Sequence, residues 1–287
     1  MSTNPWLGRR VISYAHQGGA WEAPSSTLFA IRRALALGAT GIELDVHGTA
    51  DGHLVVCHDG TVDRTTNGQG AIAGLSLADL RALDNAYWFA PGADVSPGLA
   101  ADAYPYRGRA PEDREFGIAT LDEVLALLDE HPGVALNLDI KATAPGVEPY
   151  EERLAATLAH HDHLDRVIVA SFLDVASEAF SRHAPAIATS AGTLAVAGFW
   201  RALAQGEEPP AMRHVALQVP AVYGDQVLVD ERFVTAAHGH GLAVHAWTIN
   251  DEKEMVRLLD LGVDGIISDV PTTLVALLRE RDAAWRP

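Results

Sequence analysis

The segment GIELDVHGTADGHLVVCHD, residues 41–59, sets Glu43, Asp45 and His58 among apolar residues that would otherwise suit a buried strand pair. Polar residues recur at the ends of two other apolar runs. VISYAH finishes on His16 and is followed by Gln17, and LNLDIK carries Asp139 and Lys141. Carboxylates converging in one pocket repel each other by roughly 4 kcal/mol per pair at about 4 Å, even at an effective dielectric of about 20. A bound divalent cation removes that penalty, and an all-oxygen donor set favours Ca²⁺ or Mg²⁺ over zinc. With the cation and Lys141 in place, a singly charged phosphodiester meets positive charge, and two flanking imidazoles can serve as general acid and general base. Taken singly, each residue has a purely structural role open to it. Asp139 and Lys141 can pair across a strand end, and His16 can be a satisfied core imidazole. As a group, they point to a site.

The elements that must position them follow from periodicity. Short β-branched runs at 11–16, 41–46, 134–140, 167–172, 186–191, 214–219, 243–249 and 265–270 predict strands. Amphipathic runs such as 27–37, 121–130, 150–160, 229–238 and 251–261 predict intervening helices. Eight strands alternating with helices predict an α/β fold, a (βα)8 barrel, in one domain over 1–287. The polar residues then fall near the C-terminal ends of their strands, where barrel enzymes carry out their chemistry.

The run at 53–58 follows the second strand with no room for a crossover helix, so 41–58 reads as a hairpin. Asp51-Gly52 predicts a two-residue type I′ turn. That turn pairs Ala50 with His53 and sets His58 opposite Asp45, on the face shared by Glu43. Residues 60–118 break the βα alternation and include Tyr87, Trp88, Phe89, Tyr104, Tyr106 and Phe116. Two readings stand for this insertion: a lid above the site, or a small aromatic core of its own.

Bulk composition bounds the partners. The 287 residues are 48% hydrophobic, enough for one substantial core, and the formal net charge of −17 repels nucleic acid and anionic membranes. Cys57 is the only cysteine and lies in an apolar run, which predicts a buried, inert thiol. The N-terminal residues hold no long apolar segment of the signal-peptide or membrane-spanning kind, so a cytoplasmic protein without stable membrane insertion is expected. Oligomeric state is not legible.

The segments AHQGGAWEAPSST, GIELDVHGTADGHLVVCHDGTVDRTTNGQG, LSLADLRALD, IATLDEVL, LNLDIK, ASF, AWTIN and GVDGIISDVP, in that order, resemble the glycerophosphodiester phosphodiesterase family. The resemblance implies a (βα)8 barrel with a small inserted region. It also implies one divalent cation and hydrolysis of glycerophosphodiesters to glycerol 3-phosphate and an alcohol. By motif, His16 and His58 would be the acid–base pair. Glu43, Asp45 and Asp139 would bind the metal, and Lys141 the phosphate. Phe172 and Trp247 would line the leaving-group side, and Gln17 would hydrogen-bond a phosphate oxygen. The implied mechanism is attack by the substrate's own glycerol hydroxyl, giving a cyclic phosphate that water opens. Three positions depart from the family pattern. Gln17 stands where Arg is usual, Ser25-Ser26 where Glu-Asn is usual, and Asp139 where Glu is usual. Two other functions remain open. One is a phosphodiesterase on the same barrel acting on lysophospholipid or phosphoinositide, favoured if residues 87–116 form an apolar mouth. The other is a non-catalytic protein that binds glycerophosphodiesters.

Overall fold

The computed structural model describes residues 4–8, 10–92, 95, 97–141, 150–161 and 165–285. Its elements run β1 Ile12–His16, α1 Leu28–Leu37, β2 Gly41–Gly48, β3 Leu54–Val56, α2 Leu77–Arg81, α3 Leu121–Asp129, β4 Ala135–Ile140, α4 Glu151–His160 and β5 Val167–Ala170. They continue with α5 Asp174–His183, β6 Ala188–Thr189, α6 Thr193–Gln205, β7 Ala216–Pro220, β8 Val222–Tyr223, β9 Gln226–Val227, α7 Glu231–Gly239, β10 Ala243–Trp247, α8 Glu252–Leu261, β11 Gly265–Ser268 and α9 Pro271–Glu280. All eight expected strands form. Four of them end two residues earlier than the apolar runs suggest, at Ala170, Thr189, Trp247 and Ser268.

The eight parallel strands lie in the order β6-β5-β4-β2-β1-β11-β10-β7. The ring closes between β6 and β7 through the parallel bridge Ser190–Ala216, with Ala191 N donating to Ala216 O at 3.0 Å. This is the (βα)8 barrel. Period two divides each strand between two cores. Outward residues such as Ile42, Leu44, Val46, Leu136, Leu138 and Ile140 pack beneath helices in one shell, with Leu217, Val219, Val244 and Ile266 in another. Inward residues including Ile12, Tyr14, Ala135, Ile168, Ala216, Ala243 and Ile267 fill the bottom of the barrel.

Tyr14 fits inside only because two neighbours lack side chains. A Cβ at Gly41 would lie 2.5 Å from Tyr14 Cδ1, and one at Gly265 would lie 3.0 Å from Tyr14 Cε2. Large and small residues thus alternate within one layer, as close packing requires. Climbing each strand by twos from this layer reaches the mouth: His16 from Tyr14, Glu43 and Asp45 from Gly41, Asp139 from Asn137, and Trp247 from His245.

The hairpin register differs from the expectation. Val46 pairs with Val56, His47 with Val55 and Gly48 with Leu54, one residue out from the two-residue turn. The connection is a three-residue loop. Gly52 N donates to Thr49 O at 3.0 Å, Thr49 N donates to His53 O at 2.9 Å, and Gly52 alone takes a positive φ, 85°. That is a type I turn followed by a left-handed glycine, a form in which Asp51 stays in its ordinary conformation. The Asp51 side chain fixes this form by accepting from Thr49 Oγ1 at 2.6 Å and from Leu77 N at 3.0 Å. Cys57 therefore falls opposite Asp45, with its N–H on Asp45 O at 3.0 Å, and His58 lies beyond the ladder.

Within residues 60–118 the aromatics pack on each other and on α1. Phe116 stacks on Phe29 at 4.7 Å and on Tyr106 at 5.1 Å. The Arg107 guanidinium lies over Tyr104, Tyr87 and Trp88 at 3.7, 4.4 and 4.7 Å. Cys57 is buried with Val55, Val62, Ile72 and Ile118, and burial pushes its thiol up to about 12. A thiol so held is inert at neutral pH. No described helix is long and apolar enough to cross a membrane.

Candidate active site

One cavity of about 630 Å³ opens at the C-terminal end of the barrel. His16, Glu43, Asp45, His58, Asp139, Lys141, Phe172 and Trp247 all line it. Parallel pairing explains the polar side. His16 pairs with Glu43 across β1 and β2, and Asp45 with Asp139 across β2 and β4, so in-facing residues meet at one level. His58 arrives differently from expectation. It is carried in by the chain leaving β3, not by facing Asp45, and its ring centre lies 6.0 Å from that of His16.

Each imidazole is held by a carboxylate that sequence reasoning missed. His16 Nδ1 donates to Asp269 Oδ1 at 2.6 Å, and His58 Nδ1 donates to Asp59 Oδ1 at 2.7 Å. Asn250 secures Asp269 by donating to its Oδ2 at 2.7 Å and accepting from its backbone N at 2.9 Å. Arg64 secures Asp59 with Nε on Oδ2 at 2.7 Å. Both rings thus spend Nδ1 on an acid, the arrangement that leaves Nε2 to exchange protons, and on His16 that nitrogen also meets Gln17 Nε2. The signal for Asp59 was its adjacency to His58. For Asp269 it was the strand-end position in GIISDVP, two residues above the in-facing Ile267.

Burial alone would lower the His16 pKa, but Glu43, with Oε2 3.7 Å from Nε2, and Asp269 more than offset it, raising it to about 9. Burial, then the Asp45 charge, pushes Glu43 up to about 8. Burial also raises Asp139. His58 and then Arg64 hold Asp59 well below the carboxylate range. The pattern is one of excess negative charge in the barrel mouth.

Lys141 answers part of that charge. Its Nζ lies 3.0 Å from both Asp45 Oδ1 and Asp139 Oδ2, and these two acids outweigh its burial to raise its pKa. Among the described residues no group of three or more His, Cys, Asp or Glu is gathered as a finished metal cage. The donor chemistry nevertheless fits a hard cation. Asp45 Oδ2 and Asp139 Oδ1 are buried without a hydrogen-bond partner, and carboxylate oxygens left so are expensive unless a positive charge meets them.

Gln17 is the one candidate that the structure sets behind the cavity instead of on its wall. It is buried. Its Nε2 lies 3.1 Å from His16 Nε2, and Ser25 Oγ donates to its Oε1. Gln17 and Ser26 both adopt left-handed backbone, φ 53° and 56°, and are tied together by Ser26 N on Gln17 O at 2.8 Å. Non-glycine residues in that region carry strain that the surrounding hydrogen bonds sustain. The Ser25 and Gln17 departures from the family pattern are therefore matched to each other.

Fold and mouth together define a class: a (βα)8 barrel hydrolase built for phosphate diesters. Comparison with known proteins narrows it. Residues 16–273 match the glycerophosphoryl diester phosphodiesterase family, and the chain belongs to that family. It is 32% identical to a glycerophosphodiester phosphodiesterase of Caldanaerobacter subterraneus, over 94% of this chain and 99% of that protein. It is 30% identical to one from Bacillus subtilis, over 91% and 84%. Among solved structures, an Oleispira antarctica phosphodiesterase in complex with the product sn-glycerol-3-phosphate superposes with a TM-score of 0.72 at 25% identity, covering 94% of this chain and 97% of that one. A glycerophosphoryl diester phosphodiesterase domain from Mycobacterium tuberculosis gives 0.77 at 20% identity, over 95% and 99%, and shares the fold.

Proposed function

We propose that this enzyme hydrolyses glycerophosphodiesters to glycerol 3-phosphate and an alcohol, with His16 and His58 as the proton carriers. The observation that carries the reading is the pair of rings 6.0 Å apart in one cavity, each with Nδ1 on a carboxylate. One imidazole takes the proton from the substrate's glycerol hydroxyl as that oxygen attacks phosphorus. The other gives a proton to the departing alcohol oxygen. The roles reverse when water opens the cyclic phosphate. An internal hydroxyl avoids the entropy of capturing a second reactant.

Glu43, Asp45 and Asp139 would hold a divalent cation, Ca²⁺ or Mg²⁺, which when bound supplies Lewis-acid stabilisation of charge on the phosphoryl oxygens. With the carboxylates neutralised, the Lys141 ammonium is available to the phosphate and to the negative charge that grows there. Phe172 and Trp247, in edge contact at 5.5 Å, flank the departing group. Gln17 acts on His16 and the β1 loop in place of direct phosphate binding. The excess acidity of the mouth and the overall charge support a small substrate over nucleic acid. The inserted segment 60–118 serves as a buttress on α1, its aromatics turned to its own core.

The test is turnover of glycerophosphocholine by His16→Ala and His58→Ala, with folding checked by circular dichroism. Each should lose at least about 100-fold in kcat, the scale of acid–base catalysis. Near-normal turnover in either variant removes that residue from the chemistry. Binding of metal and substrate without release of glycerol phosphate by the intact chain would favour a binding protein instead.

A further inference from the structure

Between the apolar barrel floor and the charged mouth lies an intermediate level. On β4 the in-facing residues run Ala135, Asn137, Asp139, and on β10 they run Ala243, His245, Trp247. On β7, Ala216 is followed two residues on by Gln218, which pairs with His245 across the ladder. The three alanines belong to the floor. Above them Asn137, Gln218 and His245 form an uncharged polar storey, and none of the three is an acid–base or cation-binding group of the site.

These side chains form one hydrogen-bonded series. Asn137 Nδ2 donates to Gln218 Oε1 at 3.2 Å, and Gln218 Nε2 donates back to Asn137 Oδ1 at 3.2 Å. Gln218 Nε2 also lies 3.2 Å from His245 Nδ1. His245 is fully buried, and burial lowers its pKa to about 4, so the ring is neutral. Its Nδ1 then accepts the second Gln218 N–H, and turning the Gln218 amide over would set its oxygen against Asn137 Oδ1. The ring is held in turn by Tyr14 and Trp6, whose centres lie 5.3 and 6.3 Å away. It has room because Gly265 lacks a side chain, where a Cβ would lie 2.9 Å from His245 Cδ2.

Asn137 and Gln218 line the cavity, and His245 stands behind them. Among the described residues, Asn137 keeps one N–H without a partner, and both amide oxygens keep a lone pair. One donor beside two acceptors, with no charge, matches an alcohol hydroxyl, which both donates and accepts. It does not match a phosphate, which offers acceptors only, or an ammonium, which offers none. Position decides which hydroxyl. Asn137 pairs with Glu43 and sits one level below Asp139, on the closed side of the acids. The departing alcohol differs between glycerophosphodiesters and must leave toward the open end, past Phe172 and Trp247. The glycerol is the constant part and enters first. Its middle hydroxyl attacks phosphorus, so its terminal hydroxyl is the one that meets the amides. Resting on the reading of the site given above, we propose that Asn137 and Gln218 bind the terminal hydroxyl of the substrate's glycerol, and that His245 acts through Gln218 as a positioning residue. The arrangement makes the enzyme selective for glycerol over diols lacking that oxygen, because such a diol leaves buried amide groups unpartnered.

The experiment compares kcat/KM for glycerophosphocholine with that for 2-hydroxypropyl phosphocholine, which keeps the attacking hydroxyl and lacks the terminal one. Both are measured on one enzyme preparation, so their ratio does not depend on the fraction of protein folded. The parent should prefer glycerophosphocholine by at least about tenfold. Asn137→Ala and, separately, Gln218→Leu should bring that preference below about threefold. His245→Leu should weaken it in the same direction, and His245→Asn, whose Oδ1 can accept in place of Nδ1, should restore it. A parent enzyme that turns over both esters with equal efficiency overturns the proposal, as does Asn137→Ala with the parent's preference intact. Equal loss in His245→Leu and His245→Asn overturns the role given to His245. Turnover of neither ester would instead remove the phosphodiesterase reading on which the proposal rests.

Discussion

Asp269→Asn is the sharpest perturbation of the proton machinery, because it changes no volume and touches no candidate metal ligand. The carboxylate offers two acceptor oxygens, one for His16 Nδ1 at 2.6 Å and one for Asn250 Nδ2 at 2.7 Å. A carboxamide offers one acceptor. Either His16 loses its partner, or the amide turns its oxygen to His16 and sets an N–H against that of Asn250. In both cases the charge behind the ring is gone. A hydrogen bond to a charged group contributes about 1.5–3 kcal/mol. At about 1.4 kcal/mol per tenfold, kcat should fall roughly ten- to a hundredfold. The pH profile gives the more selective readout. Burial lowers the His16 pKa, and Glu43 and Asp269 raise it to about 9. Removing one of the raising charges must move the His16 limb to lower pH. A variant with kcat within twofold of the parent and an unmoved limb would refute the idea that Asp269 sets the state of His16. Asn250→Ala should lower kcat less than Asp269→Asn does, since it frees Asp269 without discharging it.

Three other outcomes follow from the geometry. Chelation should abolish turnover, with recovery on adding Ca²⁺ or Mg²⁺; full activity after exhaustive chelation would eliminate the cation from the mechanism. Gly41→Ala should destabilise the protein by about 1–3 kcal/mol in denaturant titration, since the new methyl meets the Tyr14 ring at 2.5 Å and Ile12 at 2.7 Å, and a parent-like midpoint would show that the barrel floor can give way. His238 donates to buried Asp264 at 2.8 Å, which raises its pKa above the usual imidazole value. Its contribution to stability is therefore complete below about pH 6.5 and fades as pH rises through the higher folded value. The stability gap between the parent and His238→Gln should narrow in that direction, and a gap that widens with pH would reverse the assignment.

The sequence by itself determined which residues face the mouth. Period two along each strand, counted from apolar neighbours, puts His16, Glu43, Asp45, Asp139 and Trp247 inward, and alternation of βα units is enough to make the strands parallel and bring their C-terminal ends to one side. These are local rules, and they held for all eight strands. Register and long-range partnership are not local. The Asp51-Gly52 turn could close with two or three residues, and it was the Asp51 side chain bridging to Leu77 that selected three, displacing the pairing by one and leaving His58 to reach the site by a bend in the chain. Asp269 stands 253 residues from His16 and meets it only because β11 closes against β1. The placement of Lys141 between two acids and the contact of Gln17 with His16 likewise depend on how the ring closes. Spacing fixes the face on which a side chain stands. Only the packed barrel decides which other side chain it meets.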